Sequence, residues 1–332
     1  MLRNIPLSRA FQLLPRLDFL DRIGAPIELG LEGNKLPPGI RERPDMLLST
    51  RAIAAFTADL ARREGIEDFG WRTASPQLNQ LSPRSAGAVQ GSPTLLHALQ
   101  TLCGLAPRES SSLQMWLDER GGALLLCHRS PIALDSPGAN ELAMMRTALM
   151  LSIVRHFTAP NWSPTECGLS VGCEIGPLVQ EELRDARIQR TPDYGWIRLP
   201  RSILALPPRA LPNARASSGA GPDPALDLVG SLVQALRPYL PGGAPAIQHA
   251  AELAGTSVRS LQRELARAGS SYRDALQRAK FDAARELLEQ PGVPIVDIAH
   301  AVGFENPPHF TRFFRRLAGM TPRQYRATLR EE

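Results

Sequence analysis

The stretch IVDIAHAVGFENPPHFTRFFRRLAGMTPRQYR, residues 295–326, decides how the rest of the chain is read. Ile295, Ile298, Ala299 and Val302 recur at three-to-four spacing and end at Gly303, the pattern of a short amphipathic helix stopped by a glycine turn. Asn306 then stands where a helix cap belongs. Pro307 and Pro308 follow in the first turn of a second helix, where a missing N–H has no intrahelical partner to lose. In that helix Phe310 and Phe314 share the packing side. His309 and Arg312 lie on its early exposed side, with Arg315 and Arg316 further along.

The same pattern occurs earlier. Ile247, Ala250, Ala251, Ala254 and Gly255 precede Ile295, Ile298, Ala299, Val302 and Gly303 by 48 residues. Ser257 then caps a second helix in which Leu261 and Leu265 match Phe310 and Phe314 at an offset of 49. A short helix, a glycine turn and a capped second helix make a helix-turn-helix, here about 247–268 and again about 295–318. One copy is a common corner of helical bundles; two matched copies in tandem point to DNA. Between them, Tyr272, Leu276, Ala279, Ala283 and Leu287 keep one apolar stripe, and Pro291-Gly292 stops it. A helix from Tyr272 to Glu289 is ~27 Å long at 1.5 Å per residue, against the ~34 Å that separate successive major grooves on one face of DNA.

The polar residues sort accordingly. Arg259, Gln262 and Arg263 stay outside the Leu261–Leu265 face, and arginine can pair bidentately with guanine and glutamine with adenine. His309 and Arg312 lie on the early exposed side of the second helix, and because Pro307 and Pro308 occupy its first turn, base reading there begins at His309. Arg315 and Arg316 suit phosphates. The alternative is an ordinary solvated helix face, or a bundle that binds another protein.

Upstream, residues 207–224 hold five prolines, two glycines and two serines and mark a linker. It separates an N-terminal domain, 1–206, from a C-terminal domain, 225–332. The N-terminal domain mixes periods. Helices are expected over Asp45–Arg63, over Thr94–Leu105 behind Ser92-Pro93, and over Glu141–Phe157. Strands are expected at Leu113–Glu119 and Ala123–Arg129, joined by Arg120-Gly121-Gly122, and at Thr165–Val171 and Tyr194–Leu199. This predicts an α+β domain with a mainly antiparallel sheet, followed by an all-α domain. Met144, Met145 and Met150 on the long helix serve as core packing or line a ligand pocket.

No nucleotide-binding loop, zinc-protease motif or nucleophile elbow occurs, and His97, His128 and His156 are scattered. No enzyme activity, cofactor or metal is expected; an enzyme carrying a helical localisation domain is the alternative. The net charge of +5 permits nucleic-acid binding. No apolar run approaches the ~20 residues of a membrane span, and the N-terminus lacks a secretory signal, so a cytoplasmic protein is expected. The four cysteines read as buried free thiols. Cys167 and Cys173 lie close enough in sequence to pose the question of a redox role.

Residues 295–326, the ending Gly319, Thr321, Pro322, Tyr325 and Arg326, and the first-copy segment SVRSLQR together resemble the AraC/XylS family of bacterial transcription regulators, over roughly Leu226–Leu329. The resemblance implies sequence-specific promoter binding, activation, RNA polymerase as a partner and a homodimer. It places Arg259, Gln262, Arg263, His309 and Arg312 at base-facing positions. Two departures stand out: Lys280 where the family's linker helix usually has arginine, and Pro308 where a small polar residue is common. WSPTE, residues 162–166, and WIRLP, residues 196–200, are similar to the longer α+β sensor domain of the ornithine- and virulence-regulator branch. That implies a small-molecule effector.

Overall fold

The computed structural model describes residues 2–74, 81–111, 113–130, 132–172, 174–209 and 223–329. Cys173 and most of the segment read as a linker lie outside the described residues. The chain forms two compact units, one of Pro6–Pro224 and one of Ala225–Glu332 together with the residues up to Ile5. In the second unit the Ile5 N–H donates to Ser231 Oγ at 2.9 Å.

The first unit runs β1 (Leu7–Arg9), α1 (Leu14–Arg22), α2 (Ile27–Gly33), β2 (Leu47–Ser49), α3 (Thr50–Arg63), α4 (Phe69–Arg72), α5 (Pro83–Gln90), α6 (Leu95–Glu109), β3 (Gln114–Arg120), β4 (Ala123–Arg129), α7 (Ala139–Phe157), β5 (Glu166–Leu169), α8 (Pro177–Glu182), β6 (Arg187–Arg190) and β7 (Gly195–Leu199). Five strands make one sheet in the order β3-β4-β7-β5-β6, and only the β5–β6 ladder is parallel. The expected hairpin is β3–β4, closed by Gly121-Gly122. Leu126, Cys167, Ile197 and Leu199 of the sheet meet Leu99 of α6 and Leu151 and Val154 of α7 in one core. Met144 and Met150 belong to that core, and Trp162 packs on its border. Trp116 sits on the other face of the sheet, against Tyr194 at 5.3 Å between ring centroids.

Two boundaries differ from expectation. The helix foreseen from Asp45 begins at Thr50, because Leu47–Ser49 pairs antiparallel with Leu7–Arg9. The cap of α6 is Thr94, whose Oγ1 accepts from the His97 N–H at 3.3 Å; Ser92 instead donates to the Ala88 carbonyl. Cys103, Cys127 and Cys167 are free thiols. Burial pushes the Cys167 thiol up to about 12, which leaves it protonated at neutral pH.

The second unit is helical: α9 (Leu228–Leu236), α10 (Ile247–Leu253), α11 (Val258–Arg267), α12 (Tyr272–Glu289), α13 (Ile295–Ala301), α14 (Pro307–Ala318) and α15 (Pro322–Thr328). The linker helix α12 has the expected bounds, and its start carries a capping box of Ser271 and Asp274. Its Tyr272 hydroxyl donates to the Pro245 carbonyl just ahead of α10.

Candidate nucleic-acid interface

The duplication read from the sequence reappears bond for bond in the backbone. After α10, the Gly255 N–H donates to the Glu252 carbonyl and the Thr256 N–H to Ala251, both at 2.9 Å. After α13, Gly303 donates to His300 and Phe304 to Ala299, again at 2.9 Å. This pair of bonds closes a helix through a left-handed residue. Gly255 and Gly303 take φ of +63° and +76°, which only glycine adopts without strain. At Gly303 a side chain would also strike backbone, since a Cβ there would lie 2.7 Å from the Leu240 carbonyl oxygen.

The second helices then start alike, with one extra residue before α14. Ser257 Oγ accepts from the Ser260 N–H at 3.2 Å, as a cap should. Asn306 occupies the cap position of α14, but its side chain makes no capping bond. Its carbonyl instead accepts from His309 at 3.0 Å and Phe310 at 3.2 Å, the first N–H groups available after two prolines. The prolines thus leave the helix intact, as their position implied.

The faces sort as the spacing requires. Leu261, Leu265, Phe310 and Phe314 are fully buried. Phe281 of α12 packs on Phe314 at 5.2 Å, and Phe304 packs on both Phe310 and Phe313. Arg259, Gln262, Arg263, His309, Arg312, Arg315 and Arg316 are all exposed. At 3.6 residues per turn, Arg259, Gln262 and Arg263 fall within an arc of roughly 100°. On α14, Arg312 points nearly opposite the phenylalanine face.

Register makes Arg263 and Arg312 the equivalent pair at the 49-residue offset. The partners of Arg259 and Gln262 are Pro308 and Thr311. Thr311 turns its hydroxyl to the Pro307 carbonyl at 3.1 Å, so the second helix offers fewer free polar groups on this face.

Two further residues support this face; Glu264 escaped the sequence reading, and Lys280 stood out in it as a departure on the linker helix. Glu264 of α11 is buried, with Arg267 Nη1 at 2.8 Å and Arg263 Nε at 3.5 Å from one carboxylate oxygen. Desolvation raises its pKa, but the hydrogen bonds and charges of Arg267 and Arg263 outweigh it and hold the carboxyl below its ordinary value. Glu264 therefore orients Arg263. In the second copy Phe313 replaces it, and Arg316 lies over that ring at 5.9 Å. Lys280 of α12 donates to the Gly303 carbonyl at 2.9 Å and sits 4.3 Å over the Phe304 ring. It is a brace for the second turn rather than an exposed phosphate contact.

The ending that carries part of the family resemblance forms the helix α15, capped by Thr321 with Gln324. Tyr325 packs on Phe314 at 5.5 Å, and its hydroxyl accepts from Arg285 Nε at 2.9 Å.

Two helix-turn-helix units on one chain, joined by a rigid helix and preceded by an α+β unit, define a two-domain regulator class with a tandem DNA-binding module. Residues 250–328 match a helix-turn-helix domain model. Residues 24–172 match the model described as the arabinose-binding domain of AraC transcription regulators, N-terminal. Together the two matches span most of the chain, and the chain belongs to the AraC family.

It is similar to the ornithine utilization regulator of Pseudomonas aeruginosa, 34% identical over 104 residues, which are 30% of this chain and 31% of the relative. It is also similar to the transcriptional regulator VirS of Mycobacterium tuberculosis, 36% identical over 96 residues, 29% and 28% of the two chains. Both matches span less than a third of the relative's length. Among solved structures, the transcriptional regulator CdpR from Pseudomonas aeruginosa is 17% identical, with 91% of this chain and 96% of that one covered and a TM-score of 0.39. No helix among the described residues is long and apolar enough to cross a membrane.

Proposed function

We propose that this chain is a sequence-specific, DNA-binding transcription regulator that activates promoters from the cytoplasm. In this reading α11 and α14 enter two successive major grooves, spaced by α12. Arg259, Gln262, Arg263, His309 and Arg312 meet base edges, while Arg315 and Arg316 grip phosphates. The observation that carries the reading is the equivalence of Arg263 and Arg312, exposed on two second helices that follow turns with matching hydrogen bonds. Residues 225–332 are the DNA-binding domain, 207–224 a linker and 1–206 the effector domain. A small molecule or self-association of the effector domain shifts the population toward the DNA-competent state, from which the bound chain engages RNA polymerase. The description of the matched N-terminal model makes a sugar one candidate effector.

The test is binding of the full chain to selected and random DNA. Arg312→Ala costs ~1–3 kcal/mol on the selected site and little on random DNA, whereas Arg315→Ala weakens both alike. Affinity falls steeply with salt, because each phosphate contact releases counterions. Equal loss on both DNAs for Arg312→Ala removes the base-reading role, and a flat salt response favours a protein partner instead.

A further inference from the structure

The N-terminal unit has an unbalanced charge inside it. Arg146, in the middle of α7, is 5% exposed, and its Nη1 is buried with no hydrogen-bond partner among the described residues. Arg16 of α1 is buried nearby, donating from Nη1 to the Gln12 carbonyl at 3.1 Å and from Nη2 to Met145 Sδ. The carboxylate of Glu141 faces Arg16 and accepts from the Gly70 N–H. Glu141 thus answers Arg16, and Arg146 has no carboxylate partner among the described residues. Burial pushes Arg146 down to about 10, still well above neutral pH, so it keeps its charge. A buried charge without a partner is costly; here the missing partner is an anion.

The space for that anion is also present. Arg146 and His128 wall a chamber of about 70 Å³ whose other sides are chiefly apolar, including Phe11, Leu102, Met115, Met145, Leu149 and Ile153. They also wall a larger, more polar chamber of about 370 Å³ with Ser130, Ser170 and Asp193. Of the other polar groups of the apolar chamber, Ser82, Ser85 and His128 are hydrogen-bonded, while Glu109 Oε2 has no hydrogen-bond partner among the described residues and faces Arg9. Glu109 accepts from Ser82 and Ser85 and lies 3.5 Å from Arg9 Nε. His128 shares a 3.0 Å hydrogen bond with Thr147 and is neutral, its pKa lowered to about 3 by burial and by the charge of Arg146. A neutral sugar would press hydroxyls against methionine and leucine and leave Arg146 unpaired. An organic acid would pair its carboxylate with the guanidinium and bury its carbon body in the apolar chamber.

We propose that this unit binds a small organic monocarboxylate, with the carboxylate on Arg146 and the apolar body among Met145, Met115 and Ile153. The proposal rests on the effector-domain reading above and names the class of effector.

The test is thermal unfolding of the full chain with butanoate, hexanoate, octanoate and benzoate, each beside its primary amide, and with L-arabinose. At least one acid stabilises the wild-type protein saturably, and its amide binds roughly 10–100-fold more weakly, as expected for loss of a charged hydrogen bond. Arg146→Met loses the acid response by a similar factor, Arg146→Lys restores part of it, and Arg146→Met without ligand unfolds at the same or a higher temperature than wild type. If Arg146→Met does not fold, the acid-against-amide comparison on the wild type decides alone. No response to any acid, or equal binding of acid and amide, overturns the proposal. Stabilisation by L-arabinose but no acid overturns the monocarboxylate and leaves effector sensing standing. An Arg146-dependent acid response that leaves DNA affinity and transcription unchanged keeps the site and removes its regulatory role.

Discussion

Gly303 and Gly319 offer a matched pair for the geometry of the second helix-turn-helix. Their φ angles are +76° and +73°, so alanine meets nearly the same left-handed strain at either, roughly 1–2 kcal/mol. Their surroundings differ. A Cβ at Gly319 meets no atom within 4 Å, whereas one at Gly303 lies 2.7 Å from the Leu240 carbonyl oxygen, closer than real Cβ atoms come. Relieving that clash moves backbone, at a further ~1–3 kcal/mol. Gly319→Ala should therefore cost ~1–2 kcal/mol and Gly303→Ala ~2–5 kcal/mol. The movement also disturbs the carbonyl that receives Lys280, so Gly303→Ala loses DNA affinity beyond its loss of stability. Urea unfolding followed by far-ultraviolet circular dichroism measures both. The four tryptophans, Trp71, Trp116, Trp162 and Trp196, all lie in the other unit, and their fluorescence transition should stay in place. Equal losses for the two variants, or a tryptophan transition that shifts with them, would refute the reasoning.

Further perturbations separate packing from reading. Phe310→Ala should cost ~3–5 kcal/mol by urea unfolding, because its ring is fully buried, while Arg315→Ala should stay within ~0.5 kcal/mol of wild type. Arg315→Ala should also flatten the slope of log affinity against log salt by about one phosphate contact, as measured by titration at several salt concentrations. Glu264 has a folded pKa below its ordinary value, so its stabilising effect is present above the unfolded carboxylate pKa of about 4.3 and is lost as pH falls through the folded value. Glu264→Gln should consequently destabilise the protein at neutral pH and lose that difference in acid, and it should weaken selected-site binding by freeing Arg263.

Where a long apolar pattern agrees with local chemistry, the sequence was readable. The linker helix α12 came out with its bounds, since Ser271 caps it and Pro291-Gly292 follow it. Both glycine turns were legible because a left-handed residue can be read from a single letter. Three-residue strands were not. Leu47–Ser49 continues a helical pattern on paper, and only its pairing with Leu7–Arg9 makes it a strand. Asn306 illustrates a further limit, as a good capping residue whose side chain stays unbonded where two prolines remove the first N–H groups it could accept from.

Within the interface, exposure of the seven polar residues followed from helical spacing, but Glu264 did not, because a glutamate among arginines on a surface helix reads as solvated. Arg146 was hidden similarly. Its place in an apolar helix gives no warning that its guanidinium is buried beside a cavity. The methionines of α7 hinted at a pocket, and Met145 and Met150 do line one, while Met144 packs in the core.

The central claim is that two equivalent helices read bases, and in vitro selection of DNA by the full chain tests it most directly. Wild type should enrich a motif of two half-sites about one helical turn apart, near 10 base pairs. Arg263→Ala should relax the sequence in one half-site and Arg312→Ala in the other. A motif with a single half-site, or one that both variants weaken uniformly without relaxing any position, would contradict the account.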